Sequence, residues 1–193
     1  MLARQSWLLP ILALLGACNI AVSDKPMFSE EQRSSTLILA DGLWVREKPD
    51  CEFDRSKPKE KWPKCADWMI LKASKAIDGS DMKPEESVED VFIADGDPPL
   101  IQAKIEPKDD KVIYGFLVLK VEQIGPSGKV RSGRAWTVPC GTSQNGSTKI
   151  SPYPGFSEEC MPSSVAALRA AAAKGAAEPD DIVELRWVRD EVP

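Results

Sequence analysis

The chain of 193 residues contains no histidine. That absence excludes Ser-His-Asp and Cys-His catalysis and every imidazole-ligated metal centre, because each needs the ring nitrogen as base or ligand. There is no Cys-x-x-Cys either, so the five cysteines do not read as a zinc site. No apolar run approaches the ~20 residues of a membrane-spanning helix; the longest, Trp7 to Ala17, has 11. Positive charge is in deficit, with 25 Lys and Arg against 30 Asp and Glu. An acidic surface attracts neither nucleic acid nor anionic headgroups. The glycines form no phosphate cradle: Gly125-Pro126-Ser127-Gly128 lacks the Lys and the strand–helix setting and reads as a turn. No cofactor, metal or nucleic-acid partner is expected.

What is present begins with a leader, residues 1–17. Arg4 precedes the 11-residue apolar run, which is too short to span and is interrupted by Pro10. The run ends in Leu15-Gly16-Ala17-Cys18. This tetrapeptide resembles the lipobox of bacterial lipoprotein precursors, with Leu three places before the cysteine and small residues between. The resemblance covers the leader alone. It implies diacylglyceryl transfer to the Cys18 thiol, cleavage before Cys18 and N-acylation of the new terminus. The lipid is then the membrane partner, since several acyl chains anchor stably where one does not. Asn19 stands where that family places an Asp to retain proteins in the inner membrane, so the resemblance implies an outer-membrane anchor with the domain facing the periplasm. The alternative is an ordinary signal peptide, with Cys18 free or disulfide-bonded.

Setting Cys18 aside leaves an even set, Cys51, Cys65, Cys140 and Cys160, which suits an oxidising compartment. The pairings Cys51–Cys65 and Cys140–Cys160 are favoured because each joins neighbours across a polar, Pro-containing loop. Each closure contributes on the order of 3 kcal/mol.

Residues 18–35 are polar and aperiodic and read as the lipidated terminus and a flexible tether. One disulfide-stapled domain follows over residues 36–193. Its strand-like segments are Thr36–Leu39 with Leu43–Val45, then Trp68–Ile77, Val88–Ala94, Leu100–Ile105, Val112–Val121, Val130–Val138 and Ile182–Arg189. Apolar residues on both faces of Val112–Val121 mark a strand covered on two sides. One helix is expected over Val165–Lys174, with Ser163 as N-cap, Gly175 at its C-terminus and a stripe of Val165, Leu168 and Ala172. The predicted fold is mainly β, with α+β the alternative: an antiparallel meander, curled or barrel-like, with one helix before a last strand that pairs with the first.

Catalytic residues are not expected. Ser80-Asp81-Met82-Lys83 fits Ser-x-x-Lys but sits in an acidic loop with no Lys-Thr-Gly after it. The carboxylate clusters at 78–81, 85–90, 95–97 and 109–110 lack calcium-loop spacing and read as solvated loops. The best interaction candidate is the loop 51–65, which sets Arg55, Lys57, Lys59, Lys61 and Lys64 beside Phe53 and Trp62. Aromatic and cationic side chains are common at binding hot spots, and a disulfide at the base reduces the entropy lost on binding. Trp44, Trp68, Trp136 and Trp187 fall on strands, where they either fill a core or line a cavity. Gly42-Leu43-Trp44, with a late helix, resembles the start of lipocalins and of small periplasmic protease-inhibitor barrels, which implies a barrel that binds something. The expected role is therefore a non-enzymatic envelope lipoprotein that binds a partner protein or envelope component. The alternatives are a small-ligand or lipid carrier, an inhibitor of a lytic enzyme or protease, and a carboxylate-dependent hydrolase.

Overall fold

The computed structural model describes residues 19–47, 51–78, 88–105, 112–143, 150–179 and 182–191. The leader, Cys18, the Ser80–Lys83 motif and the acidic clusters around 85–87 and 109–110 lie outside them. Among the described residues, eleven strands and one α-helix run in the order β1 (Val22–Ser23), β2 (Gly42–Glu47), β3 (Asp67–Lys72), β4 (Lys75–Asp78), β5 (Val88–Ala94), β6 (Leu100–Ile105), β7 (Ile113–Ile124), β8 (Val130–Thr137), β9 (Gly141–Ser143), β10 (Ile150–Pro152), α1 (Val165–Ala177) and β11 (Val183–Arg189).

Strands β2 to β8 pair in succession, all antiparallel; β8 pairs with β11, and β11 returns to β2, closing a ring of eight. The upper rim carries the β3–β4, β5–β6 and β7–β8 turns and the start of β2. The lower rim carries the start of β7 and the end of β8. Closure removes the exposed edges that an open sheet would present.

Side chains alternate between the two faces of each strand. The inward set gathers Trp44, Leu71, Ala76, Ile93, Ile101, Leu119, Ala135 and Leu185, one from each barrel strand, with Leu39 and Ala40. An eight-stranded barrel is just wide enough for side chains to fill. Trp44 is fully buried there and donates its indole N–H to Ala40 O at 2.7 Å. The outward set on β5–β8, Phe92, Leu100, Phe116, Val118 and Trp136, packs with Leu168, Ala171 and Ala172 of α1 and with Ala21 and Phe28. Both faces of β7 are therefore covered, as its sequence implied.

Residues 19–34 are not a tether. Ala21 and Phe28 are buried, β1 pairs with the start of β7, and Ser34 N donates to Ile93 O at 2.7 Å. Buried Gln102 of β6 holds the segment: its Oε1 accepts from Met27 N at 2.9 Å and Phe28 N at 3.0 Å, and its Nε2 donates to Phe28 O at 3.1 Å. The segment climbs from the lower to the upper rim as a strap. Residues 38–40 then cross the upper mouth, bonded to Val130 on both sides. The folded domain thus starts near residue 19 rather than at Thr36, and residues 36–39 cap the barrel instead of forming its first strand.

Trp68–Ile77 is two strands. Ala73 and Ser74 make a two-residue turn at φ 48° and 67°, a geometry for which Asn and Gly are the usual residues. Neighbours stabilise it: Asp41 Oδ1 accepts from Ala73 N at 2.8 Å, and Val91 N donates to Ser74 O at 2.7 Å. The helix is capped by Ser164, one residue later than expected, through its side chain and Ala167 N. Gly175 lies inside the helix; a Cβ there would meet Pro139 Cδ at 2.6 Å, so close packing rather than helix termination requires glycine.

Asp41 joins three parts of the upper rim. Besides Ala73 N, it accepts from Lys129 Nζ at 2.6 Å, and its carbonyl accepts from Trp187 Nε1 at 2.8 Å. The hydrogen bond from the Lys129 ammonium holds the Asp41 carboxyl below its ordinary pKa; burial, the next largest effect, opposes it, and the Ala73 N–H lowers it further. A depressed folded pKa gives stability that is present above the unfolded value of about 3.9 and is lost as pH falls through the folded value. Both side chains are over a third exposed, so the contribution is under ~1 kcal/mol. Asp41→Asn is expected to lower the melting temperature slightly near neutrality, with the gap from wild type closing in acid. A gap unchanged on acidification would show that charge is not its source.

Candidate functional site

The loop 51–65 leaves β2 at the lower rim and turns back over the outer face of β2, β3 and β11. Cys51 and Cys65 stand at disulfide distance, with Cα atoms 5.7 Å apart, as do Cys140 and Cys160 at 5.2 Å. Leu43, Val45 and Ile70 point outward on β2 and β3 yet are buried. The loop lies over this face. Arg189 of β11 donates to Arg55 O at 3.0 Å and Lys57 O at 3.4 Å, Lys59 pairs with Glu191, and its Nζ sits 5.3 Å from the Trp68 ring.

This placement divides the seven expected interaction residues. Phe53 and Trp62 pack against each other, half-buried, with ring centroids 4.9 Å apart and planes tilted by 55°, and Trp62 Nε1 donates to Lys57 O at 3.1 Å. Arg55 is committed to Glu47, and Lys59 to Glu191 and Glu60. Burial alone would lower the Lys59 pKa, but the Glu191 hydrogen bond and charge, with Glu60, raise it above the ordinary lysine value. Lys57 lies 3.9 Å from Asp54, whose carboxyl is lowered chiefly by hydrogen bonds from Ser56. Lys61 and Lys64 are exposed on the limb that returns to Cys65. Two of the five cationic side chains that marked this loop in the sequence, Arg55 and Lys59, therefore fasten it to β2 and to the chain after β11.

Its first limb forms a site the sequence did not show. Cys51, Glu52, Phe53 and Arg55 face Glu47, Arg134, Ile182 and Glu184 across a groove of about 610 Å³ on the flank of β2, β11 and β8. That volume lies within the usual range for ligand sites, roughly 300–1,000 Å³. Phe53 and the exposed Ile182 supply apolar contact, and the charged residues around them are of both signs. The signal for Glu184 and Ile182 lay in the alternation of the last strand, which marks its polar residues as outward without saying what stands opposite them.

Glu47 and Glu184 are register partners on adjacent strands, a spacing of the order an acid–base pair requires. Arg55 and Arg186, the latter at 3.2 Å, bind Glu47, so it acts as an ion-pair centre within the groove. Among the described residues no group of three or more Cys, Asp or Glu side chains converges to hold a metal.

The four strand tryptophans do not share a cavity. Trp44 fills the barrel, Trp187 lies at the upper rim under Arg131, Trp136 is outside beneath α1, and Trp68 is outside beneath the loop. A cavity of about 150 Å³ lies under the cap at the upper mouth, lined by Leu39, Leu71 and Ile93 with Arg33, Asp41 and Lys129 at its edge. Gly42 of the Gly-x-Trp motif has φ 123°, and a Cβ there would meet Arg189 O and Trp187 Nε1; its glycine follows from closure of β2 on β11. Compared with known protein families, curated proteins and solved structures, the chain gives no match.

Proposed function

We propose that the chain is the precursor of an exported lipoprotein, anchored through Cys18 in the outer membrane, whose barrel is a non-enzymatic module that binds an envelope protein on its outer flank. The observation that supports this reading is where space lies in the fold. The interior is occupied by Trp44 and its neighbours and capped by residues 38–40, whereas the roomier cavity is the external groove braced by the disulfide loop. The upper-mouth cavity of about 150 Å³ is below the ligand-site range, which weighs against a carrier. A groove with apolar contacts at Phe53 and Ile182, charges of both signs and a preorganised wall suits a protein surface with matching charges.

The test is a photo-crosslinking residue at Lys61 or Glu52 in intact envelopes. A discrete protein adduct at Glu52 that disappears with Ile182→Asp is expected. An adduct unchanged by Ile182→Asp, or none at either position in protein that is present in the membrane, would reject the groove as the binding site.

A further inference from the structure

We infer that the anchor has no spacer, so that the surface around Asn19 lies against the bilayer and the capped upper mouth faces away from it. The inference rests on the reading of Cys18 as the lipidated residue. It adds what the fold does to the chain immediately after that residue.

Asn19 is bolted to the barrel. Its Oδ1 accepts from Cys140 N at 3.1 Å and Gly141 N at 2.9 Å, and its Nδ2 donates to Gly141 O at 2.9 Å. Two residues on, Ala21 N donates to Val138 O at 2.8 Å, and Val22 N donates to Cys160 O at 3.1 Å. The Cys140–Cys160 pair holds both of these attachment points together. Consecutive Cα atoms are only about 3.8 Å apart, so a lipid on Cys18 cannot leave this surface. The acyl chains draw the lower rim beside β9 and β10 down to the headgroups, where Met161, 40% exposed, adds apolar surface next to Cys160.

The geometry then places the remaining surfaces. β7 runs 12 residues from the lower to the upper rim, about 30 Å along the barrel axis at ~3.3 Å per residue and a usual tilt. The β7–β8 turn at 125–128 and the capped mouth stand at that distance from the bilayer. The groove beside β11 opens sideways, so a partner approaches alongside the barrel.

The test uses full-length protein, lipidated in cells and reconstituted in vesicles whose acyl chains carry a nitroxide quencher. Fluorophores are attached at Ser151→Cys, on β10 against Gly141, and at Ser127→Cys, in the far turn; both positions are exposed. Strong quenching at 151 and none at 127 is expected, with the difference lost when a long Gly-Ser insert separates Cys18 from Asn19. Equal quenching at the two positions without the insert, or a difference that survives it, would overturn the inference. Incorporation of a palmitate analogue, absent in Cys18→Ser, is read on the same samples. Failure to label would instead reject lipidation at Cys18, so the two ideas fail separately.

Discussion

Phe28→Ala is expected to cost about 3–5 kcal/mol, as truncation of a fully buried aromatic does, and to lower the melting temperature by roughly 10 °C for a domain of this size. The side chain is 1% exposed and meets Phe116 edge-on at 6.4 Å between centroids, with the Arg169 guanidinium 5.1 Å from its ring centre. Its backbone is also fastened by Gln102, whose amide satisfies one carbonyl and two N–H groups of the strap. Buried polar groups left without partners add their own penalty, so Gln102→Leu is expected to destabilise as well, although leucine is the more apolar residue. Because the two sites share the strap, their effects should be less than additive. The measurement is chemical or thermal denaturation followed by tryptophan fluorescence. If Phe28→Ala melted with wild type, residues 19–34 would be the free tether their composition suggests.

Trp44→Ala should have a comparable effect, about 3–5 kcal/mol, from the opposite face of the sheet. Trp44 lies between Met69 and Trp187 in register and is fully buried inside the barrel. Truncation leaves a void that a hydrogen-bonded ring of strands cannot collapse around, and it strips the indole donor from Ala40 O in the segment that caps the mouth. Trp44→Phe keeps most of the volume and loses the hydrogen bond, so a smaller cost of about 1 kcal/mol for that bond plus some lost packing is expected. The pair of substitutions also bears on function. A loss under ~1 kcal/mol for Trp44→Ala would mean that the interior already holds spare room, which is what a carrier requires. A large loss supports a filled barrel that works through its outside.

Much of the barrel was legible because antiparallel strands write their burial into a two-residue period. Val88–Ala94 and Leu100–Ile105 match β5 and β6, and the 125–128 turn joins β7 to β8. The last strand, β11, closes on β2, Trp187 opposite Trp44. The break in Trp68–Ile77 was not legible, because Ala73 and Ser74 carry no turn signature; contacts from Asp41 and Val91 hold them in that conformation. The strap was equally hidden. A segment that docks residue by residue has no period, and its clearest trace is a lone Gln in the apolar run Leu100-Ile101-Gln102-Ala103. In the loop 51–65 the residue types were plain but their duties were not. Arg55 turns back to Glu47 at the end of β2 and Lys59 to Glu191, 132 residues away, so the open groove falls at Glu52 and Phe53 instead of at the lysines.

By itself the sequence determined the β-rich class, the neighbour pairing of four cysteines and the exclusion of histidine chemistry, since alternation, loop closure and composition are local properties of a chain. Tertiary structure decided which face each tryptophan serves, that the stretch after Cys18 is strap rather than tether, and where a groove opens. Those depend on what stands opposite each residue once the ring closes, and partners brought together from 100 or more residues apart, as Asn19 is with Gly141 at a separation of 122, leave no local pattern to read.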